Sequence, residues 1–249
     1  MRVDLTEQVA LVTGGAHRVG KAIALELARR GADVLIHYGT SADAATETVR
    51  EIKSLGVSAH AVQADLSTQA GIETVFIALQ EHFGQLHILV NSAANFQQRE
   101  ILEVSLEEWQ ETMAINLTAP FLCTQAAAAL MRANDPPGGV IINVLDKGAI
   151  QPWPKYAHHS VSKAGLWMLT QVSAASLGPD IRVNAVIPGP VLKPAATNMS
   201  EAEWAKVGDR TALKRTGTPE DVARAVAYLA SEDFITGAAI PVNGGEHLG

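Results

Sequence analysis

Short apolar runs alternate along the chain with longer stretches in which apolar residues recur at helical spacing. The apolar runs predict strands over residues 9–13, 32–37, 57–64, 86–90, 140–144, 181–187 and 239–242. The helical spacing predicts helices between them, one from Val19 to a cap at Gly31 and others over 41–55, 67–83, 105–131, 156–177 and 219–230. Pro120 lies inside the fourth of these stretches, which is therefore predicted as one long helix or a pair kinked at the proline.

Most of the predicted strands are apolar throughout, which is typical of parallel strands buried on both faces of a sheet. Seven such strands alternating with helices indicate a doubly wound α/β fold, with a seven-stranded parallel sheet and helices on both faces. Because no linker or repeat divides the chain, we predict a single domain over residues 1–249. Residues 188–217 lack a clear strand pattern, and we predict that they form a functional lid.

Composition narrows the class of protein. The 249 residues are 47% hydrophobic and 18% charged, which excludes a disordered chain, and the net charge of −7 argues against a nucleic-acid partner. No apolar run approaches the length of about 20 residues that a membrane helix needs, and Asp4 and Glu7 lie where a signal peptide would be apolar. The single cysteine, Cys123, cannot form an intrachain disulfide. We therefore predict a cytoplasmic protein with no membrane partner.

Residues 13–20 (TGGAHRVG) join the first predicted strand to the first predicted helix. Such a turn places free backbone N–H groups and the positive end of a helix dipole where a pyrophosphate can bind. A glycine-rich turn by itself is weak evidence, but its position in the first strand–helix–strand unit favours a dinucleotide site.

Further short motifs follow this turn in order, namely Asp65-Leu66, Asn91-Ser92-Ala93-Ala94, Asn116, Ser162-Lys163, Pro188-Gly189 and the C-terminal TGAAIPVNGG. With these motifs the chain resembles the short-chain dehydrogenase/reductase family over nearly its full length. The resemblance implies a Rossmann-type fold, a nicotinamide cofactor, a small-molecule substrate and a homotetramer in which the helix carrying Trp167 pairs subunits. Arg18, where the family has glycine, and Asp146, after the fifth strand, resemble the pteridine reductase branch.

The end of the second predicted strand bears on the choice of cofactor. NAD-specific Rossmann sites place a carboxylate there, whereas this chain has HYGTS over residues 37–41 and no carboxylate before Asp43. This favours NADP(H), although pteridine reductases have an arginine where Thr40 stands. The cofactor-binding residues that the resemblance implies are Gly14, His17, Arg18, Val19, Tyr38, Gly39, Thr40, Ser41, Asp65, Leu66, Asn91, Ala93, Lys163, Pro188, Gly189 and Val191.

The resemblance also implies a catalytic group. In the family, a tyrosine protonates the substrate oxygen, a lysine four residues later lowers the pKa of that tyrosine, and an asparagine completes a water relay. A serine, or an aspartate in pteridine reductases, contacts the substrate. By resemblance Asn116, Asp146 and Lys163 occupy three of these positions, and His159 stands where the tyrosine is missing.

His159 has to be interpreted through its own chemistry. Its spacing from Lys163 places both residues on one helix face. An imidazole titrates at about 6.5 and a phenol at about 10, so a histidinium can be a general acid near neutral pH. The alternatives are that Asp146 or a water donates the proton, or that the protein is a weak or inactive reductase.

The predicted substrate site comprises Arg18, Phe96, Asp146 and Tyr156, with Phe96 stacking on a planar substrate. We predict an NADPH-dependent reductase of a pteridine-like or related carbonyl or imine compound, with residues 188–217 as the substrate lid. One alternative is a general ketone or 3-oxoacyl reductase, and another is an NADP(H)-binding protein without turnover. No residue set has the spacing of a metal site, so we predict no metal.

Overall fold

The computed structural model of the chain describes residues 3–194 and 198–248. Within these residues the strands β1 to β7 span Val9–Val12, Asp33–Tyr38, Ala59–Gln63, Ile88–Asn91, Gly139–Val144, Ile181–Pro188 and Ala239–Val242. The helices α1 to α8 span Arg18–Arg29, Ala42–Lys53, Gln69–His82, Leu106–Met113, Ala119–Ala133, Ala157–Leu177, Glu201–Val207 and Pro219–Ser231.

The seven strands form one sheet in the order β3-β2-β1-β4-β5-β6-β7, and every neighbouring pair is parallel. Leu11 in β1, for example, pairs with Leu35 in β2 and with Leu89 in β4. The prediction of a doubly wound parallel sheet in a single domain is thus confirmed. The strand order reverses between β1 and β4, and in such sheets a crevice opens there at the carboxyl ends of the strands.

Successive side chains of each strand enter two separate cores, one on each face of the sheet. Val12 and Ile36 pack on one face with residues of α1, α2 and α8. Leu11 and Leu35, their neighbours along the strands, pack on the other face with residues of α3 and α5. Because helices cover both faces, an apolar residue is needed at almost every strand position, which explains the unbroken apolar runs.

The helical stretch from residue 106 to residue 133 differs from the prediction of one helix or a kink at Pro120. A π-helical turn over Ala114–Thr118 separates α4 from α5, and it ends just before the proline. In a regular α-helix the nitrogen at position 120 would donate to the carbonyl of Asn116, but proline has no N–H. The unpaired carbonyl permits one wide turn, and π-turns are frequent at functional sites.

By length and apolar composition alone, the stretch Leu106–Ala133 is able to cross a membrane, a test that core helices also pass. Cys123, Ala127 and Met131 in this stretch are buried in the core against the sheet. We therefore interpret it as a core helix of the α/β domain.

The segment predicted as a lid, residues 188–217, follows β6 at the carboxyl edge of the sheet. It contains α7 and a short 3₁₀ turn over Gly208–Arg210. Ser200 and Glu203 form a capping box at the N-terminus of α7. Residues 195–197 of this segment lie outside the described residues. Its function as a lid stays a prediction.

His158, near the start of α6, is fully buried, and neither of its ring nitrogens has a hydrogen-bond partner among the described residues. Burial lowers the pKa of His158 and leaves the ring uncharged. A buried polar group without a partner costs about 1–3 kcal/mol of stability. We therefore expect His158→Leu, which introduces an apolar side chain of similar size, to raise the midpoint of thermal unfolding.

His87 provides the matched control for this measurement. Its Nδ1 accepts a hydrogen bond of 3.0 Å from the backbone N–H of Val9, so His87→Leu should lower the midpoint.

Because the folded-state pKa of His158 is lowered, the unfolded chain binds more protons, and stability falls as the pH drops below about 6.5. His158→Leu should lose less stability over this range, and a midpoint below wild type would contradict the interpretation.

Candidate active site

A cavity of about 710 Å³ lies at the carboxyl ends of β1 to β4, and its walls come from the segments that follow these four strands. This is the crevice that the reversal of strand order creates, and its volume is that of a cofactor site. The predicted cofactor residues that line it are Gly14, His17, Arg18, Val19, Gly39, Thr40, Asp65, Leu66 and Ala93.

The turn between β1 and α1 forms the floor of this cavity, and its backbone packing requires glycine. Gly14 has φ +66°, and a Cβ there would lie 2.9 Å from the Cα of Ala93. A Cβ on Gly20 would lie 2.2 Å from the carbonyl oxygen of Gly14. Both distances are too short for a side chain, so the turn can approach a ligand closely only with glycine at these positions.

Arg18, the first residue of α1, has φ +56°, in the left-handed region that favours glycine. A non-glycine residue held there costs of order 1–3 kcal/mol, and such strain is concentrated at functional sites. The guanidinium donates a hydrogen bond of 2.9 Å to the carbonyl of Lys193, in the predicted lid segment. Arg18 therefore connects the phosphate-binding turn with the segment that follows β6.

His37, at the carboxyl end of β2, also lines the cavity, although it is not among the predicted cofactor residues. Its Nδ1 accepts from the Gly14 N–H at 3.3 Å, and its Nε2 lies 3.1 Å from the Ala64 carbonyl, to which it donates. Burial lowers the pKa of His37, consistent with a neutral ring that has one donor and one acceptor. Its position near the end of a buried strand, two residues before Gly39, was the available signal.

The remaining predicted cofactor residues do not line this cavity. Asn91 is buried and donates to the Oδ1 of Asn143 at 2.8 Å, and Tyr38 packs against the core. Ser41 precedes α2, and Lys163 is buried in α6. The other three predicted cofactor residues lie at the end of β6 or beyond it, namely Pro188, Gly189 and Val191. Gly20, Ser92 and Ala94, which belong to the sequence motifs but were not predicted as contacts, also line the cavity, and so do three residues outside the motifs, Gln63, Ala64 and Ile115.

The four predicted catalytic residues come together beside the Ala94 and Ile115 end of the cavity. Asn116 is in the π-turn, Asp146 follows β5, and His159 and Lys163 lie on one face of α6. Asn116, His159 and Lys163 are buried, whereas the side chain of Asp146 is 20% exposed. The side chain of Asp146 is thus the most accessible of the four.

Both ring nitrogens of His159 face hydrogen-bond acceptors. Nε2 lies 2.5 Å from Oδ2 of Asp146, and Nδ1 lies 3.1 Å from the backbone carbonyl of Asn95. The ring is therefore held between a carboxylate and a backbone carbonyl. Asp146 is held on its other side, where Oδ1 accepts from the Gly148 N–H at 2.7 Å.

Asn116 holds this arrangement from the opposite side. Its Oδ1 accepts from the Asn95 N–H at 2.7 Å, which fixes the orientation of the amide. Its Nδ2 donates to the Asn95 carbonyl at 3.0 Å and to the Ser162 hydroxyl at 3.1 Å. Nδ2 also lies 3.3 Å from Nδ1 of His159. Ser162 in turn donates to the carbonyl of His159 at 2.7 Å.

The charges of the cluster stabilise one another. Burial lowers the pKa of Lys163, and the Asp146 carboxylate partly opposes this. Its ammonium group donates to the Val144 carbonyl at 2.8 Å. Burial by itself would raise the pKa of Asp146, but the hydrogen bond and charge of His159, the Lys163 cation and the Gly148 N–H together lower it. Asp146 is therefore ionised at neutral pH.

Aromatic rings cover the His159 side of the cluster. The Phe96 and His159 rings are nearly perpendicular, with centroids 4.7 Å apart, and Phe96 stacks on Tyr156 at 4.6 Å. Trp153 packs against Tyr156 at 4.2 Å, and a backbone bridge between Arg99 and Tyr156 ties the two loops together. Phe96 is 46% exposed, so part of its ring stays accessible.

The structure groups three of the four predicted substrate residues, Phe96, Asp146 and Tyr156, around His159. Arg18 lines the cofactor cavity instead and is bound to the Lys193 carbonyl. Across the described ranges, 3–194 and 198–248, no group of three or more His, Cys, Asp or Glu residues is arranged to hold a metal ion. Cys123 is buried, which raises the pKa of its thiol to about 12.

Comparison with known proteins places this geometry in a family. The family model described as enoyl-(acyl carrier protein) reductase matches residues 14–247. The chain is 36% identical to glucose 1-dehydrogenase 2 of Bacillus subtilis (strain 168), over 100% of this chain and 98% of that protein. It is 37% identical to the 3-oxoacyl-[acyl-carrier-protein] reductase of Synechocystis sp. (strain ATCC 27184 / PCC 6803 / Kazusa), over 97% of each.

Among solved structures, that of FolM alternative dihydrofolate reductase 1 from Brucella canis, complexed with NADP, superposes with a TM-score of 0.90 and 30% identity. The match covers 99% of this chain and 97% of that one. These matches, together with the parallel sheet and its crevice, identify the protein as an oxidoreductase of the class that uses a nicotinamide cofactor. The chain belongs to the short-chain dehydrogenase/reductase family, as its sequence motifs predicted.

Proposed function

We propose that the protein is an NADPH-dependent reductase of a planar, pteridine-like or related carbonyl or imine substrate. The observation that carries this proposal is the group of Asn116, Asp146, His159 and Lys163 next to the cofactor cavity, with an accessible aromatic ring above it. A half-exposed Phe96 offers a surface on which a planar ring can stack. Similarity to the Brucella canis dihydrofolate reductase supports a substrate of this shape.

The cavity fits a dinucleotide, and its residues support NADP(H) rather than NAD(H). Gly14, Gly20 and the first turn of α1 supply the close backbone approach and helix N-terminus that a pyrophosphate requires. Gly39 and Thr40 line the cavity after β2, and neither carries a charge that would repel a 2′-phosphate. NADPH, when bound, supplies a hydride.

Two other functions have specific support. Similarity to the Synechocystis 3-oxoacyl reductase favours a ketone or 3-oxoacyl substrate. The histidine in place of the family tyrosine favours an NADP(H)-binding protein without turnover. The experiment that separates the three is to titrate the purified protein with NADPH and NADH, and then to follow NADPH absorbance with biopterin, dihydrofolate and simple ketones. Oxidation of NADPH by the pteridines and not by the ketones would support the proposed reductase.

The cofactor assignment predicts the effect of a carboxylate at the end of β2. We expect NADPH to bind more tightly than NADH, and Thr40→Asp to weaken NADPH binding by about tenfold or more through repulsion of the 2′-phosphate. The affinity for NADH should change little, and a fluorescence titration with both cofactors measures this. Equal affinities in the wild type that the substitution leaves unchanged would exclude the assignment.

The catalytic group predicts a strong effect at position 159. His159→Phe removes the partner of Asp146 and a potential proton source, and should lower the rate of substrate reduction by about 10²–10⁴. NADPH affinity should barely change, because His159 does not line the cofactor cavity. Steady-state rates and NADPH titration of the same preparation test both points. An undiminished rate would show that the imidazole has no part in the reaction.

We also propose that the protein is cytoplasmic and a homo-oligomer, a tetramer by resemblance, and that the segment 188–217 acts as a substrate lid. Support for self-association comes from α6, where Val161, Met168 and Val172 form an exposed apolar stripe, and from the exposed Phe121 on the neighbouring α5.

Introducing a charged residue into this apolar stripe of α6 should dissociate the oligomer. We expect Met168→Glu to reduce the mass measured by light scattering, because burial of an unpaired carboxylate in an apolar interface is unfavourable. Glu81→Gln, on the exposed end of α3, serves as the control and should leave the mass unchanged. A wild-type protein that is monomeric at micromolar concentration would rule out this proposal.

A further inference from the structure

Three residues other than glycine have a positive φ in the described part of the chain, namely Glu7, Arg18 and Lys214. Of these three, Arg18 lines the cofactor cavity. Its φ of +56° is in a region that glycine occupies without strain, and the family has glycine at this position. Because the strained backbone carries a long side chain at a ligand cavity, we expect that side chain to have a function of its own.

The Arg18 side chain connects two segments that are 175 residues apart in the sequence. Its Nη2 donates a hydrogen bond of 2.9 Å to the backbone carbonyl of Lys193, in the predicted lid over residues 188–217. A guanidinium group has five N–H donors, and this is its one hydrogen bond to a described residue. Further N–H groups therefore remain for a ligand in the cavity that Arg18 lines.

The part of the predicted lid that Arg18 holds has little packing of its own. None of the residues of α7 is buried. The Lys193 side chain forms an ion pair with Glu201, the first residue of α7, so a contact at residue 193 also restrains the start of this helix. Segments with few buried contacts open at a low cost in free energy, so the gain or loss of one hydrogen bond changes their opening measurably.

We propose that Arg18 is a positioning residue that couples the cofactor cavity to the predicted lid, because its guanidinium holds the Lys193 carbonyl and a phosphate group of the cofactor together. The proposal rests on the proposed cofactor site and lid. Ordering a long arginine side chain costs conformational entropy, and a side chain already fixed by one partner loses less entropy when it binds the second. Occupancy of the phosphate site therefore strengthens the hold on the lid, and by reciprocity the lid strengthens phosphate binding.

The first test uses the protein without a ligand. Arg18→Ala removes the hydrogen bond to Lys193 and keeps a side chain at positive φ, whereas Arg18→Gly removes the hydrogen bond and relieves the strain. In both variants the backbone amides of residues 191–193 and of α7 should exchange hydrogen faster than in the wild type. Mass spectrometry should show an increase of about threefold to tenfold, the value of one hydrogen bond.

Thermal unfolding of the same two variants separates the side chain from the backbone. Arg18→Gly should unfold at a midpoint at least about 2 °C above that of Arg18→Ala, because only the alanine is strained. If Arg18 served only to shape the turn, glycine would restore wild-type exchange in the predicted lid. Faster exchange in Arg18→Gly despite its relaxed backbone therefore supports the coupling, and wild-type exchange in that variant would overturn it.

Glu7→Gly is the matched control for relief of strain. Glu7 has φ +63° and is exposed, and it precedes β1 at the amino edge of the sheet, whereas the predicted lid follows β6 at the carboxyl edge. This variant should leave the exchange of residues 191–193 and α7 unchanged. An increase as large as that in Arg18→Gly would show that exchange there does not report the contact with Arg18, and the proposal would fail.

The second test adds the phosphate-bearing half of the cofactor. The probes are ADP, which contains a pyrophosphate, and adenosine at the same concentration, which contains no phosphate. ADP lacks the nicotinamide half, for which Pro188, Gly189 and Val191 are predicted contacts, so the nicotinamide cannot act on the lid directly.

In the wild type, saturating ADP should slow the exchange of residues 191–193 and α7 by about threefold or more, and adenosine should not. Both Arg18 variants should lose this effect at ADP concentrations that saturate them. An effect of wild-type size in either variant would contradict the proposal, because the phosphate would then act on the lid without Arg18.

These outcomes also distinguish the proposal from the function on which it rests. If NADPH and ADP bind and the exchange of the wild-type lid does not respond to ADP, the cofactor site stands and the coupling through Arg18 fails. If neither binds, the cofactor site fails, while exchange in the ligand-free variants still tests the contact between Arg18 and Lys193.

Discussion

The hydrogen bond between Nε2 of His159 and Oδ2 of Asp146, 2.5 Å long, joins elements that are far apart in the chain. Asp146 leads out of β5, His159 belongs to the first turn of α6, and the other ring nitrogen faces the carbonyl of Asn95 beyond β4. With both nitrogens engaged, the ring is held in one orientation, and the Asp146 side chain is the more exposed member of the pair. The orientation of both side chains therefore depends on this one largely buried contact.

Bringing an aspartate, a histidine and a lysine into one largely buried cluster is unfavourable unless each is compensated. Removing an ion from water costs several kcal/mol even after the protein relaxes. The compensation is visible in the backbone groups, since the Val144 carbonyl accepts from Lys163 and the Gly148 N–H donates to Asp146. Strand ends and a 3₁₀ turn supply these groups because their backbone is not fully paired in the sheet. The carboxyl ends of the strands, where the backbone is least regular, thus provide the groups that hold the charged cluster.

Asn116 illustrates how an irregular helix serves this site. The π-turn that precedes Pro120 contains Asn116, whose side chain bonds to the backbone of Asn95 and to Ser162. His37 acts in a similar way at the other end of the crevice, where a neutral imidazole joins the glycine-rich turn to the segment after β3. In both cases a buried polar side chain replaces missing backbone contacts between strands, and the cavity between them keeps a defined shape.

The sequence by itself determined the order of strands and helices, the parallel sheet, the glycine-rich turn and the family, because these depend on local periodicity and on motifs that are contiguous in the chain. It also indicated that Asn116, Asp146, His159 and Lys163 belong together. Only the tertiary structure decided how they face one another. Packing between distant segments turns Nε2 of His159 to Asp146 and stacks Phe96 on Tyr156. It also places His37 in the wall of the cavity. A spacing along one helix fixes which face a side chain occupies, but its hydrogen-bond partners and exposure depend on what the rest of the chain places opposite it.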